Sequence, residues 1–247
     1  LQVEKYAENR FFIKTSDGEL EAKNVICATG AFQVPVIPSI IPEDSNILQM
    51  HSQFYKNPEQ LKKGAVLVVG SGSSGSQIAE ELNRGNKEVY FSIGPHDRPP
   101  RRYRGKDNVW WLGVLGKWEA KTPKPGTQHV TIAVSGYDGG KTIDFRKFAN
   151  NGITLLGMTK KFENGKLYFE DDLKTNIENG DRNYLDLLDE ADEYIEKNNL
   201  SFPEEPQARD FISDHSCITK PFLELDLEEL SITSVIWATG YKHDFNW

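Results

Sequence analysis

The chain has 247 residues, 38% of them hydrophobic and 11% aromatic, and a net charge of −8. That composition is globular and large enough for one big core or two modest ones. The acidic balance argues against a nucleic-acid surface, no apolar run approaches the roughly 20 residues of a membrane span, and no signal peptide is visible. Cys27 and Cys217 are too distant in sequence for a C-x-x-C or a metal-ligand cluster, so a cytoplasmic protein with reduced thiols is expected. The start at Leu1, already in strand-like sequence, suggests a piece of something longer.

In chain order, residues 11–14 and 19–22 flank Asp17-Gly18, a hairpin signal. Residues 24–30 read as a buried strand ending at Gly30, and Pro35, Pro38 and Pro42 then impose a linker. A helix is expected over 107–115, burying Val109, Trp110, Leu112 and Val114, followed by an alternating segment over 128–134. Asp144 is placed to cap a helix through Phe148, and 153–156 and 166–169 read as strands. Over 181–197 the apolar residues Tyr184, Leu187, Leu188, Ala191, Tyr194 and Ile195 share a face, which predicts an amphipathic helix with a packing stripe. Residues 201–216 are polar and irregular, and 231–238 is a last buried strand.

The strongest chemical signal lies at 65–82. Five apolar residues precede Gly70-Ser71-Gly72-Ser73-Ser74-Gly75, and Ile78, Ala79 and Leu82 follow at helical spacing. A strand, a G-x-G-x-x-G turn and an opening helix let backbone N–H groups and a partial positive charge meet a pyrophosphate. Gly70, Gly72 and Gly75, with the backbone of Ser71, Ser73 and Ser74, are therefore the expected cradle; the alternative is an ordinary strand-turn-helix.

A second strand is expected over 88–93. An NAD site usually places a carboxylate at its end, and 89–96 contains none. Instead Arg98, Arg101, Arg102, Arg104 and Lys106 follow with no acid among them. Guanidinium groups suit a phosphate through permanent charge and paired donors. Arg98, Arg101 and Arg102 are thus the expected clamp for a 2′-phosphate, which selects NADP(H). The competing reading is a solvated basic loop, with Asp97 beside it.

Further motifs stand in a fixed order. Val25-Ile26-Cys27-Ala28-Thr29-Gly30 and Val235-Ile236-Trp237-Ala238-Thr239-Gly240 echo each other, as a chain crossing between two nucleotide-binding domains would. Pro35 and Pro38 complete an A-T-G-x-x-x-x-P-x-x-P linker, and His51-Ser52-Gln53-Phe54-Tyr55-Lys56-Asn57-Pro58 precedes the glycine turn. Together these resemble the flavin-containing monooxygenases, especially bacterial flavoproteins related to that family and to the plant YUCCA-type enzymes. Two departures stand out: Ser45 and Ile47 replace an expected Phe and Gly, and no other glycine fingerprint precedes residues 70–75.

The resemblance implies an α/β fold, with a three-layer Rossmann-like NAD(P)-binding domain inserted in remnants of an FAD-binding domain. Residues 1–45 would be partial FAD-domain strands and linker, 46–230 the NADP(H) domain, and 231–247 the crossover strand back toward the FAD domain. It implies NADP(H) and FAD as cofactors, Thr29 and Thr239 near them, and the other half of the FAD site outside this sequence. NADPH would reduce FAD, and a C4a-peroxyflavin would oxygenate a small substrate. No residue stands out as acid, base or nucleophile, as expected where cofactors carry the chemistry. The alternatives are a relative of the flavin and disulfide reductases, though no C-x-x-C is present, a flavoprotein that only oxidises NADPH, and a non-catalytic NADP-binding fragment.

Overall fold

The computed structural model describes residues 1–121 and 130–246. The chain forms two compact units, Leu1–Val36 with Gly240–Trp247, and Ile37–Thr239. The larger unit is wider than the expected 46–230, because Ile41 is buried in its core and Ile232–Trp237 is an inner strand of its sheet. Both Ala-Thr-Gly segments lie close to where the chain passes from one unit to the other.

In the smaller unit, Gln2–Ala7, Arg10–Thr15 and Gly18–Ala22 form an antiparallel sheet. The hairpin closes at the expected place, with Thr15 opposite Gly18. Val34–Pro35 pairs with Tyr241–Lys242. Residues 24–30 do not form the predicted strand: Ile26 is 89% exposed, and no strand pairs with the segment among the described residues. An apolar run without a neighbouring ladder has no partners for its backbone groups, so hydrophobicity alone does not make it a strand.

The larger unit is built on five parallel strands in the spatial order Thr154–Leu156, Val89–Ser92, Ala65–Val69, Ile232–Trp237 and Leu48–His51. Ala65–Val69 is buried throughout, and its side chains divide by period two. Val66 and Val68 face one core with helices α1 (Ser73–Arg84), α3 (Phe145–Asn150) and the start of α4 (Leu173–Lys197), while α2 (Asn108–Val114) packs in a separate cluster with Tyr103 and the later turns of α4. Leu67 and Val69 face a second core, completed by Leu167, Phe169 and Leu225 of an antiparallel sheet of Thr159–Glu163, Lys166–Phe169 and Glu224–Asp226. The three layers are therefore helices, parallel sheet and antiparallel sheet.

Helix α3 begins where Asp144 accepts a hydrogen bond from Arg146 N, as predicted. Helix α2 has the expected limits but a different buried side. Val109 is 53% exposed, and Trp111 is fully buried with its indole N–H donating to Tyr103 O. Helix α4 starts eight residues before the predicted 181, since Leu173 and Ile177 continue its stripe across Gly180. The alternating segment keeps only Thr131–Ile132 as strand; Gln128 and His129 lie outside the described residues. No helix among the described residues is long and apolar enough to cross a membrane.

Candidate nucleotide-binding site

The glycine turn sits where the strand order turns back, between Ala65–Val69 and Ile232–Trp237. This is the position at which open α/β sheets bind ligands, outside the C-terminal ends of their strands. Gly70 takes a φ of +107°, and a Cβ there would overlap the Ala238 carbonyl oxygen, so the turn requires glycine on both counts. A Cβ on Gly75 would overlap the Gly70 carbonyl oxygen and stand 3.2 Å from Ala238 Cβ. That glycine lets helix α1 pack directly on the turn.

Gly72 is the N-cap of α1 and offers no side chain to it. Ser76 N donates to Gly72 O at 3.0 Å, which leaves the amides of Ser73, Ser74 and Gly75 without intrahelical acceptors. No acidic residue lies in this first turn. The mouth therefore presents N–H groups and the positive end of the helix dipole. Ser74 is exposed, whereas Ser71 is buried with its hydroxyl donating to Gly94 O at 3.3 Å. Ser71 thus contributes backbone and support.

Sequence reasoning missed Thr131. A Cβ on Gly72 would lie 2.5 Å from Thr131 Oγ1, and Ser73 Oγ donates to Ile132 O at 3.0 Å while accepting from Val134 N. The alternation of this segment was legible, but not its seat against a turn 59 positions away. His96 was missed too. It is 2% exposed, its Nδ1 is 3.0 Å from Gly94 O, and burial pushes its imidazole down to about 4, with Arg98 acting in the same direction. A carbonyl can only accept, so the proton sits on Nδ1 and the bare Nε2 faces Gly180.

The arginines do not gather at the turn. Arg98 is 3% exposed and donates to Asp181 Oδ1 at 3.0 and 2.5 Å and to Ile143 O at 3.3 Å. Arg146 completes the cluster through Asp181 Oδ2 and Asp214 Oδ1, both at 2.6 Å. Two guanidiniums and two carboxylates neutralise each other there, which overturns the expected role of Arg98 as a phosphate clamp. Arg101 pairs with Asp107 at 3.0 Å, and exposed Arg102 donates to Gly139 O at 2.9 Å. Tyr137, two residues before Gly139, lies under Arg84 at the far end of α1, and a 12-residue helix is about 18 Å long. Thr29 lies in the smaller unit, where its hydroxyl accepts from Gln33 Nε2 at 2.7 Å; Thr239 ends the larger unit.

The sheet, turn and helix define a Rossmann-like dinucleotide-binding fold. Residues 1–107 match the family model described as pyridine nucleotide-disulphide oxidoreductase. The chain is similar to the uncharacterized oxidoreductase CzcO-like of Geobacillus kaustophilus, 44% identical over 108 residues that make 43% of this chain and 31% of that protein. It is also 41% identical over 73 residues to the thiol-specific monooxygenase of Saccharomyces cerevisiae, 28% of this chain and 17% of that one. In fold it resembles a flavin monooxygenase from Stenotrophomonas maltophilia, with a TM-score of 0.51 at 16% identity over 98% of this chain and 50% of that one. The chain spans about a third of the length of the CzcO-type relatives it matches, 31% and 32%. Its likeness is to flavin-containing monooxygenase-type flavoproteins.

Proposed function

We propose that this chain is the NADP(H)-binding portion of an FAD-dependent oxidoreductase of the monooxygenase type. The observation that carries the proposal is the uncapped mouth of α1 at the strand-order reversal, closed around glycines that keep backbone within reach of a ligand. The amides of Ser73, Ser74 and Gly75 would hold the diphosphate, and exposed Ser74 would line its outer side. Thr131 Oγ1, opposite Gly72, is a further hydroxyl for the same anion.

The 2′-phosphate contact is offered to Arg101 and Arg102, and requires each to leave its present partner, the Asp107 carboxylate and the Gly139 carbonyl, and to swing toward the mouth of α1. Thr29 of the smaller unit and Thr239 of the larger are each offered as a cofactor contact through the resemblance alone. When bound, the two cofactors supply hydride transfer and oxygen chemistry, and the protein's part is to bind, orient and exclude water. A disulfide-reductase role lacks a thiol pair among the described residues: Cys27 is exposed, Cys217 is buried with its thiol pushed up by burial, and both are free.

Calorimetric titration of NADPH and NADH into the chain and its Arg102→Ala variant tests the proposal. NADPH should bind more tightly, and the variant should narrow the gap. Equal affinities in the parent chain would remove the phosphate preference.

A further inference from the structure

A cavity of about 770 Å³ opens at the opposite end of the parallel sheet, beside the N-terminal ends of Ala65–Val69 and Ile232–Trp237. A five-residue strand is about 16 Å long, and the cavity shares no residue with the glycine turn. We propose that it binds a small organic anion with an apolar body, an aryl or alkyl carboxylate.

Three features carry this. First, the volume falls in the range of small-molecule sites, and Phe162, Leu227 and Ile232 give the cavity an apolar wall. Second, the rim is cationic. Lys62 and Lys63 stand against the single carboxylate of Glu228. Lys62 Nζ donates to Asn46 O at 2.6 Å, while Lys63 makes no ion pair among the described residues. An ammonium at the lip of an apolar pocket favours a carboxylate head and opposes an amine.

Third, the wall carries a hydroxyl placed by a backbone irregularity. Ile232 pairs with Ala65 and Ser234 with Val66, so Thr233 is an extra residue in the ladder. Such bulges re-aim a side chain and often adjoin functional sites. Gly64, with a φ of +131°, fits this bulge: a Cβ there would lie 2.7 Å from Thr233 Cγ2 and 2.9 Å from Thr233 Oγ1. The Thr233 hydroxyl is nevertheless buried without a hydrogen-bond partner, as is that of Ser45 in the same wall. A buried hydroxyl left unpaired weakens a fold, and a small rotation of the Thr233 side chain toward the cavity would give it a bound head group as partner.

The test uses three probes with one apolar body: 4-phenylbutyrate, 4-phenylbutan-1-ol and 4-phenylbutylamine, titrated calorimetrically into the full chain. The carboxylate should bind saturably, at least tenfold tighter than the alcohol, with no binding of the amine. Lys63→Glu should weaken the carboxylate at least tenfold. Thr233→Val, which keeps the shape, should raise the thermal midpoint of the free chain and weaken the carboxylate severalfold. Equal binding of the three probes, absence of saturation, or carboxylate affinity unmoved by both variants would overturn the proposal.

Discussion

Thr131 stands against Gly72 so closely that a methyl group on the glycine would come 2.5 Å from the threonine hydroxyl. Thr131 is thus packed against the residue that opens α1. Gly72→Ala should therefore be destabilising alone and recover when Thr131→Ala is added. A double-mutant cycle in urea should give a coupling of about 1–2 kcal/mol, within the range for residues in contact. Additive effects would mean the two do not meet.

Gly75 presents a harder limit. Its added methyl would overlap the Gly70 carbonyl oxygen, which is backbone and cannot rotate away. Gly75→Ala should cost about 3 kcal/mol, the upper end for overpacking, read as a fall in the urea midpoint. A midpoint unchanged within error would show that the turn gives way.

This corner of the fold was legible because its physics is local. A buried strand, small residues at a turn and an apolar stripe at 78, 79 and 82 name their own roles. What was not legible is tertiary. Ile26, between Val25 and Cys27, has apolar flanks as Ile236 does between Val235 and Trp237, yet only Ile236 has strands on both sides of it. Likewise Arg98 and Arg102 look alike in a basic run; only the arrival of Asp181 from α4 decides that one is buried and the other free to face solvent.

The Arg98–Asp181 pair supplies the next expectation. Asp181→Asn leaves Arg98 and Arg146 without the carboxylate they share, and should cost about 3–5 kcal/mol, the loss typical of breaking a buried pair. In a variant folded at low temperature, the ratio of NADPH to NADH affinity should stay as it was. A changed ratio would return Arg98 to the phosphate site.

His96 predicts a pH dependence. Its ring is neutral in the fold with a value pushed down to about 4, whereas an unfolded histidine takes its proton near 6.5. Since the folded value is the lower one, this stability is complete above about 6.5 and is lost as the pH falls toward 4, with a slope approaching about 1.4 kcal/mol per pH unit. Urea unfolding at pH 7.5, 6 and 5 should show the loss, and His96→Gln should flatten it relative to the parent chain. Parallel profiles would place the acid sensitivity elsewhere.

The most direct measurement is a crystal of the chain grown with NADPH. Density for the diphosphate should lie within hydrogen-bond distance of the amides of Ser73, Ser74 and Gly75, with Thr131 at its edge. A coenzyme bound elsewhere, or a turn left empty at saturating concentration, would contradict the assignment of this helix mouth.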